Sequence, residues 1–465
     1  MGEGCYRARP RLDTGHSPLR PRAATSHTAT MHALSLPPVF RPLSRPLPWL
    51  TVAAAATVLG VVSACGGGGD EGVPPENTPA VAATPAPSAP RATACDATSG
   101  RVLAVGPGKA YATPSAAAQV AREGDVVRIA AGEYRGDVTT WTANRLTICG
   151  DGGRARLHAD GRSANGKAIW VVAGADITID SIDFHGARVP DHNGAGIRAE
   201  HRSGELRVLN SGFYDNQNGI LSAAGPVAIT IEGSEFARSD TGTLAALGHN
   251  LYIGRIDRLT VRSSFFHEAV RGHNLKSRAR VSLIESSYFM DGPRGRSSYL
   301  TDFPDGGQVM LRGNLLHKGP LAENPTAIAY GAESMAAWPT NTLALSHNTV
   351  VMTRSGGFFL RAPASTQSLR LTANVWAGTG SPGLITGGYA IANAAQADNR
   401  TAAATAFPDA DRLVAPRFWP TAAVQPALVL SGLPDMAYTH DSPHPYVLRP
   451  IAGGGRLAGA LQAAP

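Results

Sequence analysis

The chain has 465 residues, 43% apolar and only 6% aromatic, and its 52 glycines and 34 prolines argue against long helices and for short elements joined by turns. The formal charge is +7, but seven of the 42 basic residues and only two of the 35 acidic ones lie in residues 1–65, so the remainder carries +2. A balance that small gives no footing for nucleic-acid binding, and none is expected.

Arg41 and Arg45 precede an apolar run from Leu47 through Val62 that ends Val62-Ser63-Ala64-Cys65. Charged segment, apolar segment and small-residue cleavage site follow in the order of a secretory signal. The run is too short and wrongly flanked for a membrane span. Val-Ser-Ala-Cys resembles the lipobox of bacterial lipoproteins, which implies that Cys65 is lipidated and becomes the new N-terminus. The resemblance places the chain at the bacterial cell envelope, held to a membrane through that lipid alone. Gly66 after the cysteine points to the outer membrane. Met31 opens a signal of ordinary length, so residues 1–30 read as an upstream extension. Residues 66–94 are rich in Gly, Pro and Ala and read as a flexible tether before a domain spanning 95–465.

Cys5 and Cys65 fall in the upstream and lipidated regions, leaving Cys95 and Cys149 in the domain. An even pair in an exported chain reads as one disulfide, with two free buried thiols as the alternative. Closing so long a loop stabilises by about 3–4 kcal/mol. With no Cys-x-x-Cys and no Cys/His cluster, no zinc site is expected.

From Val102 the sequence predicts a first strand, a short amphipathic helix over Pro114 to Arg122, and a second strand from Gly124 to Tyr134. A phrase of alternating apolar residues, a polar Asn or Ser turn and one large apolar residue then recurs. It ends at Phe184, Phe213, Phe236, Phe266, Phe289, Leu316, Val350 and Trp376, at intervals of 29, 23, 30, 23, 27, 34 and 26 residues. Periods in that range with two or three short strands each indicate a solenoid; propeller blades need four strands. The order of helix and coils resembles the right-handed parallel β-helix of the pectate-lyase-like type, so an all-β fold with a short N-terminal capping helix is expected. The coils run to about Trp376, and Ala423 to Gln462 is expected to pack back as a C-terminal cap.

Gly248 to Arg255 (GHNLYIGR) and Gly272 to Ala279 (GHNLKSRA) are similar phrases one coil apart. Aligning Leu251, Leu275, Leu300, Ala329 and Leu360 as inward residues makes Tyr252, Lys276, Thr301, Tyr330 and Arg361 one outward column. The same alignment makes Asn250, Asn274 and Tyr299 a second outward column, and Gly254, Arg278 and Phe303 a third. It turns Asp302 inward beside Ser277, where a buried carboxylate is either structurally paired or functional. Lys276 and Arg278 lie within the most basic stretch, Gly254 to Lys318, which holds eleven Lys or Arg against six acids. Elimination from a uronic acid needs a base for the C5 proton, a cation for the sugar carboxylate and an acid for the leaving oxygen. Lys276, Arg278, and Tyr252 or Tyr299 meet those needs. Asn250, Asn274, His249, His273, Tyr330, Arg361 and Asp302 are the candidate substrate-binding residues. The histidines and asparagines equally suit a turn ladder between coils.

The phrase Asn274-Leu275-Lys276-Ser277, followed by the Ser286-Ser287-Tyr288-Phe289 turn, resembles β-helical polysaccharide lyases of the chondroitinase B and alginate lyase type. That resemblance implies a lysine base on an anionic polysaccharide. The family's arginine lies on the next coil, where this chain has Thr301 and Phe303, so Arg278, Arg294 or Arg296 must substitute. Those lyases bring calcium into consideration, but their acidic cluster is not recognisable here, and no cofactor is expected. A surface-tethered, monomeric polysaccharide lyase is the leading reading. A non-catalytic glycan-binding or envelope scaffold, a glycoside hydrolase built on Asp302, Asp305 and Glu333, and a C5-epimerase remain open alternatives.

Overall fold

Each coil turns on one residue in the left-handed region, and from Asn210 onward the next residue settles the turn's buried polar groups. Ser181 (φ 60°), Asn210 (45°), Ser263 (44°), Ser286 (48°), His347 (54°) and Ala373 (52°) occupy that position, with Gly233 (59°) and Gly313 (63°) completing the series. Glycine meets this conformation without steric cost; Ala373 adopts it against its preference. The following residues form a ladder. Ser211, Ser234 and Ser264 each donate their backbone N–H to the hydroxyl of the next coil's serine, at 3.1–3.2 Å. Asparagine then takes over: Ser287 N–H reaches Asn314 Oδ1 (2.9 Å), Asn314 reaches Asn348 (3.0 Å) and Asn348 reaches Asn374 (3.0 Å).

The computed structural model describes residues 92–414, 416, 418–430, 438–440, 448–450 and 457–462. Cys65, the signal segment and residues 66–91 of the tether lie outside the described residues. The coils form a parallel β-solenoid with one ten-stranded and one 21-stranded sheet. The ten-stranded sheet stacks Thr139–Trp141, Ala168–Val172, Ala195–Ala199, Asn218–Ser222, Leu251–Ile253, Leu275–Ser277, Thr301–Phe303, Thr326–Tyr330, Phe358–Arg361 and Gly383–Thr386. The recurring large apolar residue is the centre of the core: Phe184, Phe213, Phe236, Phe266 and Phe289 stack nearly parallel with ring centroids 4.4–5.0 Å apart. Burying each ring contributes on the order of 2–3 kcal/mol.

The N-terminal helix is Pro114–Ala118, shorter than the predicted span to Arg122, and begins on Thr113, whose hydroxyl accepts Ala116 N–H at 3.4 Å. Cys95 and Cys149 form the expected disulfide across 54 residues of sequence. The coils extend past Trp376, since Ala395–Ala397 and Arg400–Ala403 pair with Ser368–Thr372 and Val375–Gly378. Residues within 418–430 and 457–462 pack on the flank of the coils. Phe418, Leu428 and Leu461 join Tyr288, Leu315 and Val351 in a second apolar cluster, and Gly459 N–H donates to Ala373 O at 2.7 Å.

The expected rows of the ten-stranded sheet hold for Tyr252 against Lys276 and then shift by one residue. Leu275 pairs with Thr301 and Lys276 with Asp302; Asp302 then pairs with Ala329, and Ala329 with Arg361. Leu300 occupies the place that Asn250 and Asn274 hold in the preceding coils, so equating it with Leu275 turns the side chains of that coil and the next to the wrong face, while Leu360 and Arg361 keep the expected inward and outward positions. Asp302 therefore stands on the outward row, while Thr301, Phe303 and Tyr330 face the interior. Tyr330 is fully buried, its hydroxyl donating to Gly307 O at 2.7 Å, and has no surface to offer a substrate. Asn250 and Asn274 are likewise fully buried, Asn250 Nδ2 donating to Asn274 Oδ1 at 2.7 Å, and they are rungs of a second ladder.

Asn348 Oδ1 accepts both the N–H and the side-chain amide of Asn314 at 3.0 Å, and its own amide donates to Leu311 O at 2.9 Å. Asn348→Ala removes these buried bonds, leaving the Asn314 N–H without its acceptor, and is expected to lower stability by about 2–4 kcal/mol, read from the urea unfolding midpoint. A variant as stable as the wild type would contradict this account of the ladder.

Candidate active site

Lys276 and Arg278 project from consecutive outward positions of one short strand and its exit, beside Tyr252 one coil below. Lys276 Nζ lies 5.4 Å from the Tyr252 ring centroid, and Arg278 Nε donates to the Tyr252 hydroxyl at 3.2 Å. That donation occupies the phenol oxygen as an acceptor and leaves its proton free to be given elsewhere.

Both cations are engaged by a carboxylate from a distant loop. Glu333 Oε1 takes Lys276 Nζ at 2.8 Å and its Oε2 takes Arg278 at 2.5 Å. The loop is clamped above the sheet: Glu333 and Ser334 donate their N–H groups to Pro304 O, and Asn341 holds Met335 O and Trp338 O through its amide. Trp338 Nε1 adds a bond to Arg278 O at 3.2 Å. A second carboxylate, Asp305, lies fully buried between Arg278 (2.5 Å) and Arg255 (2.7 Å). Its Pro304–Gly307 turn is the one expected from the sequence; the paired arginines are not.

Asp302 is 1% exposed, with Oδ2 3.3 Å from His273 Nε2 and 3.8 Å from Lys276 Nζ, and with Oδ1 unpartnered. Burial pushes its carboxyl up to about 7, against the opposing pull of Lys276, whose ammonium is committed more closely to Glu333. Glu333 moves the other way: burial opposes its ionisation, but the hydrogen bonds from Lys276 and Arg278 outweigh it and hold the carboxyl below its ordinary value. Arg278 is raised above its ordinary value because Glu333 and Tyr252 outweigh its burial.

His249, His273 and Tyr299 form the row that precedes these strands. His249 Nδ1 accepts the His273 N–H at 2.9 Å, and His273 Nδ1 accepts the Tyr299 N–H at 3.1 Å. Each ring must keep Nδ1 bare to accept, so each is neutral with its proton on Nε2. Burial lowers His249 to about 3 and His273 well below its usual value, with Lys276 among the cations that add to it. The histidines are a backbone ladder, and His273 additionally directs Nε2 at Asp302. Tyr299 stacks on His273 at 5.1 Å, in this row and not in the row of Lys276. Arg361 stands on the Lys276 row, two coils beyond Asp302. Arg294 and Arg296 contact Glu268 (3.8 Å) and Glu323 (3.4 Å), so Arg278 is the arginine placed beside the lysine.

Sequence reasoning passed over one support of the site. Lys318 is fully buried and donates to Ser297 O (2.9 Å) and Ser298 O (2.7 Å), fixing the turn that leads to Tyr299. Burial lowers it to about 8, offset in part by Asp291. A lysine closing the apolar strand Leu315–Lys318 was the available signal. Among the described residues no three His, Cys, Asp or Glu side chains group closely enough to hold a metal ion.

No family model matches the chain, and no curated protein does. Solved structures do match in backbone. One, titled "Crystal structure of pectate lyase Pel9A", aligns with a TM-score of 0.46 and 13% identity over 65% of this chain and 80% of its own. The parallel solenoid stands on the strand register itself, and the chemistry on the side chains described above.

Asp302 keeps its proton to about pH 7 in the folded protein, whereas an unfolded chain loses it near 3.8. The folded state binds more protons in that window, so Asp302's contribution to stability falls as pH rises from about 4 to 7. The wild-type stability relative to Asp302→Asn is therefore expected to decline across that range in urea midpoints. A difference that stays flat or rises would show that Asp302 is ionised throughout.

Proposed function

We propose that this chain is a polysaccharide lyase that cleaves a uronate-containing polymer by β-elimination at Lys276, Arg278 and Tyr252. The observation that carries the reading is the Glu333 carboxylate held in the fork of Lys276 and Arg278, beside a phenol with a free proton. An internal carboxylate occupies the position that a sugar carboxylate takes in such a reaction. A substrate displaces Glu333 from Arg278, which then neutralises the uronate and makes the C5 proton acidic.

Lys276 freed of Glu333 retains Asp302, a carboxyl that burial favours in its neutral form. A neutral Asp302 adds no negative charge to hold the lysine proton, and the base step requires the bare amine. Lys276 takes the C5 proton, the C5–H electron pair becomes the C4–C5 double bond, and the C4–O4 bond breaks. Tyr252 gives its proton to O4. The cycle closes when Lys276 returns a proton to the phenolate.

A protonated Asp302 near an ionised Glu333 favours a glycoside hydrolase as the second reading. At 1% exposure Asp302 has little access to a glycosidic oxygen, whereas Tyr252 lines an open cavity, which supports the lyase. Retention at a bacterial envelope through Cys65, action as a monomer and independence of a metal belong to the same proposal.

Purified protein incubated with polygalacturonate, alginate and chondroitin sulfate is expected to generate the ultraviolet absorbance of an unsaturated uronate on one of them. Lys276→Ala and Tyr252→Phe are each expected to lower kcat by about 100-fold or more. New reducing ends without absorbance would establish the hydrolase instead. Full activity in Lys276→Ala would rule out the mechanism.

A further inference from the structure

Tyr252 and Lys276 belong to a longer row, in which Arg198 pairs with Leu221, Leu221 with Tyr252 and Tyr252 with Lys276. Three coil spacings, about 14 Å, separate Arg198 from Lys276. The far end of that row repeats the chemistry of the near end. Lys167 Nζ and Arg198 Nε share Glu200 Oε1, at 2.6 and 3.3 Å, as Lys276 and Arg278 share Glu333. One lysine, one arginine and one glutamate recur, and each triad leaves one positive charge in excess.

We propose that Lys167 and Arg198 form a second anion-binding station, a non-catalytic subsite that grips another acidic group of the same polysaccharide strand. The inference rests on the uronate reading of the Lys276 site and adds to it that the substrate is a polyanion long enough to reach both stations. A cavity of about 340 Å³ runs from Lys167 and Arg198 past Leu221 and Ser222 as far as Tyr252, the residue beside Lys276. Leu221 and Tyr252 supply the apolar floor that sugar-ring faces require. Asp191, also on the lining, has Oδ1 taken by Asn193 N–H at 3.0 Å and leaves its other oxygen for sugar hydroxyls.

Tyr252 joins the stations, since it walls the cavity and stands beside the Lys276 ammonium. A strand following the row meets Lys167 and Arg198 first, crosses Leu221 and arrives at Tyr252 with its next acidic groups at Arg278. The Lys167–Glu200 pair is partly solvated, with side-chain exposures of 45% and 23%, so as a structural feature it contributes little stability. The same exposure lets a ligand carboxylate or sulfate replace Glu200 at little cost.

The test is calorimetric titration of the full domain with polygalacturonate, alginate and chondroitin sulfate at low salt, for the wild type, Lys167→Ala/Arg198→Ala and Glu200→Gln. Affinity for the best-bound polymer is expected to fall about ten-fold or more in the double variant, the worth of one charge-assisted hydrogen bond. Glu200→Gln removes the internal competitor and is expected to bind more tightly, an effect that a merely structural triad would not produce. Unchanged affinity in the double variant, weaker binding by Glu200→Gln, or no polyanion binding by the wild type would each overturn the subsite. Binding that depends on Lys167 and Arg198 without any unsaturated product would refute the lyase and leave the subsite standing. Unsaturated product with unchanged affinity in the double variant would do the reverse.

Discussion

The constraint on which everything else in this structure depends is the tight turn between strands, which directs a backbone N–H into the interior at every coil. An unpaired N–H there costs more than any single side-chain contact returns. The chain answers with one left-handed residue and then a serine or asparagine whose oxygen receives the N–H of the preceding coil. The answer is periodic because the problem is periodic. Once it holds, strand register follows, and with it the direction of every side chain on the ten-stranded sheet. The phenylalanine stack in the core and the row from Arg198 to Arg361 on the outer face are both consequences of it.

Stacking also makes like side chains neighbours at one strand spacing, which turns a basic stretch of sequence into an electrostatic problem. The structure resolves it by importing carboxylates. Arg255 and Arg278 share Asp305, Lys276 and Arg278 share Glu333, Arg271 and Arg296 share Glu323, and Lys318 lies by Asp291. The basic stretch is therefore a set of cations already occupied by exchangeable or fixed acids. Asp305, fully buried, is a fixed partner; Glu333, about half exposed, is exchangeable. That difference in exposure is what separates the fixed pairing from the exchangeable one.

Much of the candidate site was legible as a contrast between two phrases. Tyr252 giving way to Lys276, and Gly254 to Arg278, marks one coil of an otherwise repetitive surface, and the structure does bring Tyr252, Lys276 and Arg278 together. Tyr330 shows the limit of that reasoning. A row extrapolated from Leu300 passed through it, and a shift of one residue at that coil put it in the core. Asp302 moved the opposite way, from an inward assignment to the side of Lys276.

The sequence by itself determined the architecture, because turn, strand and ladder residue recur within each coil and every one of those signals is local. It also pointed to the disulfide, since Cys95 and Cys149 are the two cysteines beyond residue 65. The partners of the catalytic candidates were decided only by tertiary structure. Glu333 reaches Lys276 across 57 residues and Asp305 reaches Arg255 across 50. Coils of unequal length and a clamped loop set those meetings, and no local period encodes how far a loop returns over the sheet. The physical reason is that a solenoid converts coil number into distance along its stack, while charge pairing across its face depends on loops that lie outside the repeat.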